Sequence, residues 1–404
     1  MLPVRVRSQI PQVPAAAGLY GHMTAATPST PAGHRIARIE TAELLDRYPR
    51  TIGRNARLGS HGAGGPVRIF VVTTDSGATG WGLAGRGDRS GLEALVGREL
   101  GDVFDAGTGV LDPAAEPLDF ALHDLAGQLL GVPVSRLLGD GPPDGTAAGD
   151  RAVTCYSGAI YFDDLDPDDA PRGIDAVLDN CKADYAAGFR ALKLKIGRGN
   201  RWMGPAEGLR RDIEVTRTVR ETYPDIRILV DANDGYTGSG FLEYLDAVHD
   251  CGLFWIEEPF RENHEDLAAL QTRLHEHRAA TVVADGEAQP DIPQLLRLAE
   301  DRLLDVLLMD VVGYGLTPWR AITPALLEIG TWASPHAWGQ PLKTLYAAQL
   351  ALGFGNVLTV EGVPGHTVGV DASGYQLTDG RLHVPAAPGF GLPVPDVPLD
   401  LAAG

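Results

Sequence analysis

Lys193 and Lys195 lie two residues apart in an alternating run, Arg190–Ile196, whose other face carries Leu192, Leu194 and Ile196. Lysine is seldom fully buried without a partner. A half-exposed strand with a solvated lysine face is therefore the plain reading of this run alone. The rest of the chain supplies partners. Similar apolar runs end in Asp231 and Asn233 (ILVDAN), in Glu257 and Glu258 (LFWIEEP), and in Asp285 and Glu287 (TVVADGE), and later runs end at Asp310, His336 and Glu361. One acid at a strand end is ordinarily a helix cap or loop residue. Carboxylates converging from three consecutive strands would repel one another unless a cation sits between them. Three oxygen ligands, with positions left for water and substrate, suit Mg²⁺. We assign Asp231, Glu257 and Glu287 to that cation. Asp285 stays open, because its spacing places it on the face of Glu287; Glu258 alternates away into a supporting position. Lys195 and His336 are candidate proton carriers. A second lysine and a divalent cation nearby should lower the Lys195 pKa towards that of a useful base. A lone strand histidine is more often structural, but Asp310 on the preceding strand would orient His336 and stabilise its protonated form.

The elements that must position these groups follow a strict rhythm. From Arg151 onward, apolar strands recur at 152–160, 191–197, 227–233, 253–259, 281–287, 305–311, 332–338 and 356–362, with helical stretches between them. Eight strands in roughly 210 residues, each pair joined by a helix, is the pattern of an α/β barrel. A doubly wound open sheet would need a glycine-rich phosphate turn after an early strand, and the chain has none. In such barrels, chemistry belongs to the C-terminal strand ends, where every residue named above falls. Before the barrel, residues 34–150 read as an α+β capping domain. Its strands are Arg35–Leu45, Val67–Thr74 and Gly80–Ala84; its helical patterns are Gly91–Glu99 and Pro117–Gly131. Residues 1–33 read as a loosely held tail, Gly139–Asp150 as a linker, 151–362 as the barrel, and 363–404 as a segment returning to the cap. The long polar loop Asp46–Gly65 carries Arg54, Asn55, Arg57 and His61, equally readable as a substrate-selecting set or a solvated surface run.

The chain has 404 residues and a formal charge of −19. That charge argues against a nucleic-acid or anionic-membrane surface. It does not exclude an anionic substrate, because a metal can reverse the field in one cleft. Cys155, Cys181 and Cys251 have no metal-ligand spacing and cannot all pair, which points to a reducing cytoplasm. No apolar run reaches the ~18 residues of a membrane span.

The ordered set Lys-x-Lys, Asp-x-Asn, Glu-Glu-Pro, Gly-Glu, a sixth-strand Asp, a seventh-strand His and an eighth-strand Glu resembles the enolase superfamily, and within it the mandelate racemase subgroup. Each motif is weak alone; the series over about 190–362 is specific. The resemblance implies a modified (β/α)7β TIM-like barrel with an α+β cap, and Mg²⁺ on Asp231, Glu257 and Glu287. It implies Lys195 as the base on one face of the substrate carbon with Lys193 beside it, and His336 with Asp310 acting on the other. Glu361 resembles the residue that hydrogen-bonds the substrate carboxylate, donating to the enediolate if protonated. Asn233 matches a position that supports the site. The pairing of a Lys or His base with Mg²⁺ on an enediolate is a general property of this superfamily. A muconate-cycloisomerase-like branch would place a lysine at the end of the sixth strand, and none lies between Asp305 and Tyr314. The expected activity is a hydro-lyase: dehydration of a sugar acid to a 2-keto-3-deoxy acid. Racemisation or epimerisation of a 2-hydroxy acid is the alternative, and a non-catalytic metal-binding protein a third reading. The partner is a small anionic substrate, and the expected assembly a homo-oligomer.

Overall fold

The computed structural model describes residues 33–139, 151–165, 173–287 and 289–402. The sequence-based tail and linker lie outside the described residues, apart from Gly33 and Gly139. Within the described residues, no helix is long and apolar enough to cross a membrane.

The chain opens with an antiparallel meander of β1 (Ile36–Arg47), β2 (Pro66–Thr74) and β3 (Thr79–Leu83). One sheet face carries the helix Asp119–Leu130, whose residues 119–127 are all buried. Gly80 and Gly82 allow that approach: a Cβ at Gly80 would lie 2.2 Å from the Leu125 nitrogen, and one at Gly82 2.5 Å from the Phe120 Cβ. The helix expected over Gly91–Glu99 is only a 3-10 turn, Leu92–Leu95. Gly91 and Gly97 bracket only five residues, too short a run for an α-helix. A short hairpin, β4 (Phe104–Asp105) and β5 (Gly109–Val110), completes this part.

The barrel follows as β6 (Ala152–Ile160), β7 (Ala191–Lys195), β8 (Arg227–Asp231), β9 (Trp255–Glu257), β10 (Val282–Asp285), β11 (Val306–Leu307), β12 (Trp332–Ala333) and β13 (Val360–Gly362). Neighbours pair in parallel and in sequence order. β13 pairs with β6, and an Ala333–Val357 bridge closes the ring. Helices connect successive strands, ending with Pro341–Phe354 before β13. After β13 the chain leaves the barrel: β14 (His366–Thr367) pairs with β1, the hairpin of β15 (Gln376–Thr378) and β16 (Arg381–His383) adds to the start of β6, and β17 (Asp400–Leu401) pairs with β1. This is a (β/α)7β barrel with an α+β cap.

Alternation along the strands separates two environments. Ile228 and Val230 of β8, with Leu192 and Leu194 of β7, pack outward against the helices. Leu229, Trp255, Val282, Ala284, Val306 and Trp332 point inward and form an apolar floor. The polar groups stand on that floor, one pleat further along the same inward faces.

Candidate active site

β7 and β8 stay in register to their ends, so Lys195 lies opposite Asp231, and Asp231 in turn lies opposite Glu257 of β9. The inward pleat thus delivers both lysines and two carboxylates to one layer. Lys193 is fully buried, which removes the solvated-face reading. Its ammonium pairs with Glu257 at 2.6 Å, Glu361 at 2.8 Å and Asp231 at 3.2 Å. Lys195 pairs with Asp231 and donates to Asn233 Oδ1 at 3.0 Å. The rings of Tyr156 and Tyr161 lie 5.6 and 5.3 Å from the two ammoniums.

The fifth strand departs from the sequence-based expectation. Val282 and Ala284 face inward, so Asp285 faces outward, and Gly286 at φ +114° breaks the pleat. Asp285 and Glu287 therefore do not share a face. Glu287 turns into the mouth, where ligand oxygens of Asp231, Glu257 and Glu287 lie within 4.8 Å of one another. Asp285 keeps company with Glu258. Burial and the charge of Glu258 raise the Asp285 carboxyl well above its ordinary range; burial and Glu287 push Glu258 up to about 8. Glu258 also accepts the Glu287 backbone N–H at 3.1 Å, a supporting contact for the mouth. Asn233, Asp234 and Glu258 all adopt positive φ, 44°, 54° and 39°. Such strain gathers where surrounding contacts over-determine the backbone.

Opposite Lys195, His336 Nδ1 donates to Asp310 Oδ2 at 3.0 Å. Its Nε2 has no hydrogen-bond partner among the described residues and lies 3.3 Å from Glu287 Oε1 and 3.6 Å from Glu361 Oε2. Burial works against the imidazolium, but Glu287, Glu361 and Asp310 outweigh it and raise the pKa. Burial likewise opposes both ammoniums and is outweighed, by Glu257 and Glu361 at Lys193 and by Asp231 at Lys195. With these side chains alone both lysines are therefore raised, because the carboxylates outweigh the like charge; the lowering expected from a second lysine together with a divalent cation concerns the metal-loaded site. Burial raises Glu361, yet Lys193 and His336 bring it down to about 2, and its Oε2 accepts the backbone N–H groups of Ala337 and Trp338, each at 2.9 Å. With these side chains alone it is a carboxylate that accepts those two N–H groups and faces Lys193.

The cap loop folds over this mouth, and most of its polar groups are used to dock it. Asn55 Oδ1 accepts the backbone N–H groups of Arg57 and Leu58, closing its own turn. Arg57 donates to the carbonyls of Asn233 at 2.6 Å and Asp234 at 3.1 Å. Arg54 lies over the Trp202 ring at 4.9 Å, while Trp202 Nε1 donates to the Asn55 carbonyl. Asn55 and Arg57 are thus turned to protein partners rather than left open to a substrate. His61 stands in an aromatic cluster with Tyr161 and Trp338, at 4.8 and 6.2 Å between rings, and Tyr48 stacks on Trp338. Apart from His61, this roof went unread in the sequence, as did Lys343, whose ammonium lies 2.7 Å from Asp310 Oδ2. A signal existed for Lys343: the chain has only four lysines, Lys182, Lys193, Lys195 and Lys343, and three of them meet here.

Residues 176–396 match the family model described as enolase C-terminal domain-like. The chain belongs to the enolase superfamily. Within the superfamily the mandelate racemase subgroup is the right neighbourhood. A mandelate racemase/muconate lactonizing protein from Geobacillus sp. Y412MC10, solved with magnesium and tartrate, superposes with a TM-score of 0.82 at 32% identity over 92% of this chain and 95% of that one. A galacturonate dehydratase from a Geobacillus species, solved with D-galacturonate and 5-keto-4-deoxy-D-galacturonate, gives 0.80 at 32% identity over 90% and 95%. The L-Lys-D/L-Arg epimerase of Methylococcus capsulatus is 29% identical over 342 residues, 83% of this chain and 85% of the relative. Dehydration and epimerisation both occur, by name, among these superfamily relatives.

Proposed function

We propose that this enolase-superfamily protein removes the proton α to a carboxylate and dehydrates a sugar acid to a 2-keto-3-deoxy acid. The observation that carries the reading is the carboxylate trio, Asp231, Glu257 and Glu287, flanked by Lys195 on one side and the His336–Asp310 pair on the other. The trio fits a divalent cation on its own chemistry: hard oxygen donors, packed close enough to repel, with Glu287 Oε2 buried and lacking a hydrogen-bond partner among the described residues. Mg²⁺, held by these three residues, would supply charge for the carboxylate end of the substrate and for the enediolate that develops from it.

The chain's own groups do the rest. Lys195 already points its nitrogen at Asp231. Lys195 is the group placed to take the α-proton; a cation held by Asp231 would weaken the attraction that keeps its nitrogen an ammonium. Lys193, locked between Glu257 and Glu361, keeps a fixed positive charge beside the developing anion. His336 carries a proton on Nε2, favoured by its acidic neighbours, and gives it to the departing β-hydroxyl. The C–O bond breaks, water leaves, and the resulting enol tautomerises to the keto acid. The apolar floor and aromatic roof keep bulk water away from this exchange.

The test is a panel of acid sugars assayed for keto-acid product, with and without EDTA, alongside α-carbon deuterium uptake in D₂O. Metal-dependent keto-acid formation is expected. Deuterium exchange with inversion and no keto acid would instead make the protein an epimerase. No exchange and no product across the panel would remove the enzymatic reading.

A further inference from the structure

We infer that Lys343 is a positioning residue for the His336 side of the site; the inference rests on the proton-transfer reading above. Lys343 lies in the first turn of the helix Pro341–Phe354. Its ammonium contacts Asp310 Oδ2 at 2.7 Å, the same oxygen that accepts the His336 Nδ1–H at 3.0 Å, and it donates to the Trp338 carbonyl at 3.3 Å. Asp310 Oδ1 is held separately, by the backbone N–H groups of Val312 at 3.0 Å and Gly313 at 2.6 Å.

This arrangement leaves the Asp310 carboxylate one orientation. The two backbone donors fix one oxygen and Lys343 fixes the other, so the oxygen offered to His336 cannot swing away. Lys343 also ties two strand ends together. Asp310 follows β11, while His336 and Trp338 belong to the loop after β12. One ammonium therefore sets both the acceptor behind the imidazole and the roof residue above it. The group is only 14% exposed, and the short pair on an anionic partner makes a charge-assisted bond of the stronger kind. Only four of the chain's 34 lysines and arginines are lysines, and outside this site the ion pairs among the described residues are made by arginine and histidine. A compact ammonium fits beside an imidazole on one carboxylate oxygen; a planar guanidinium, whose fork favours both oxygens, fits there less well.

The experiment compares Lys343→Met and Lys343→Arg with the wild-type full chain in Mg²⁺. Lys343→Met should lower kcat for keto-acid formation at least ~10-fold, a modest part of what a positioned acid contributes, with KM within about twofold. Deuterium exchange at the α-carbon, the Lys195 half of the reaction, should persist, so the ratio of exchange to product rises. Lys343→Arg should restore part of the product rate. Wild-type turnover in Lys343→Met overturns the inference, as does an equal fall in exchange and product. A crystal structure of Lys343→Met reads the point without any substrate: a His336 ring turned away from Asp310 is expected, and an undisturbed pair overturns the inference. If wild type exchanges its α-proton but forms no keto acid, the dehydratase reading fails by itself, and the crystallographic outcome still decides the role of Lys343.

Discussion

Lys193 is the most instructive residue. A fully buried ammonium is expensive to desolvate, and here it is met by Asp231, Glu257 and Glu361 at once. Removing any of these acids leaves its charge short of partners, so their loss should damage folding as well as chemistry. Glu287 is different, because its contacts are with His336 and the other ligands rather than with Lys193. Glu287→Gln should weaken Mg²⁺ binding at least ~10-fold, the scale seen when a metal site loses part of its shell. Asp285→Asn should leave it within about twofold, since Asp285 faces away from the mouth. Isothermal titration with Mg²⁺ checks both, and equal losses would put Asp285 back among the ligands. The proton carriers separate in the same way. Lys195→Ala and His336→Asn should each lower turnover at least ~10²-fold. Only His336→Asn should retain α-proton exchange, measured by NMR in D₂O.

Among the elements, the barrel was legible because its signal is repetitive: a period-two strand, a helix, and an acid at the strand end, over and over. The ligands on β8 and β9 were legible for the same reason, since Asp231 and Glu257 continue the pleat that buries Leu229 and Trp255. The fifth strand was not, because one glycine at positive φ reverses parity, and a sequence shows a glycine without showing its φ. The cap loop was legible as a loop over the site but not in its partners. Arg54, Asn55 and Arg57 look alike on paper to groups that greet a substrate; the Trp202 ring, the N–H groups of Asn55's own turn, and the carbonyls of Asn233 and Asp234 claim them first. A prediction follows from that difference. Arg57→Ala removes two anchors to the loop that carries Asn233, so the segment 51–62 should become more sensitive to limited proteolysis and KM should rise for every substrate tested. His61→Ala keeps the anchors and removes a ring from the roof, so protease resistance should stay and the ranking of substrates should change. Matching profiles for the two variants would mean that the loop acts only as a cover.

At the scale of the molecule, the cap, the barrel and the C-terminal segment are sewn together by buried carboxylates. Asp119 accepts from Thr317, Asp46 from Thr367, and Asp124 from the backbone N–H groups of Trp81 at 3.0 Å and Phe390 at 2.7 Å. Asp124 carries the greatest consequence for pH, because it joins β3 to the returning C-terminal segment through neutral donors. Burial, only partly offset by its hydrogen bonds, raises its pKa from 3.8 to about 7. The sign follows from linkage. Below pH ~4 both folded and unfolded chains hold this proton. Between ~4 and ~7 only the folded chain does, so the stability from this group falls as pH rises through that window and stays low above it. The amide introduced by Asp124→Asn cannot ionise. It also turns an N–H₂ towards a backbone N–H, so this variant should be less stable than wild type at acid pH by about 1–3 kcal/mol. The gap should then close, or reverse, by roughly 2–3 kcal/mol between pH 5 and pH 8. Urea unfolding of both proteins at the two pH values measures it. A gap that does not move would mean that Asp124 is ionised in the fold throughout, held by its backbone donors, and that the seam between the cap and the returning C-terminal segment is indifferent to pH.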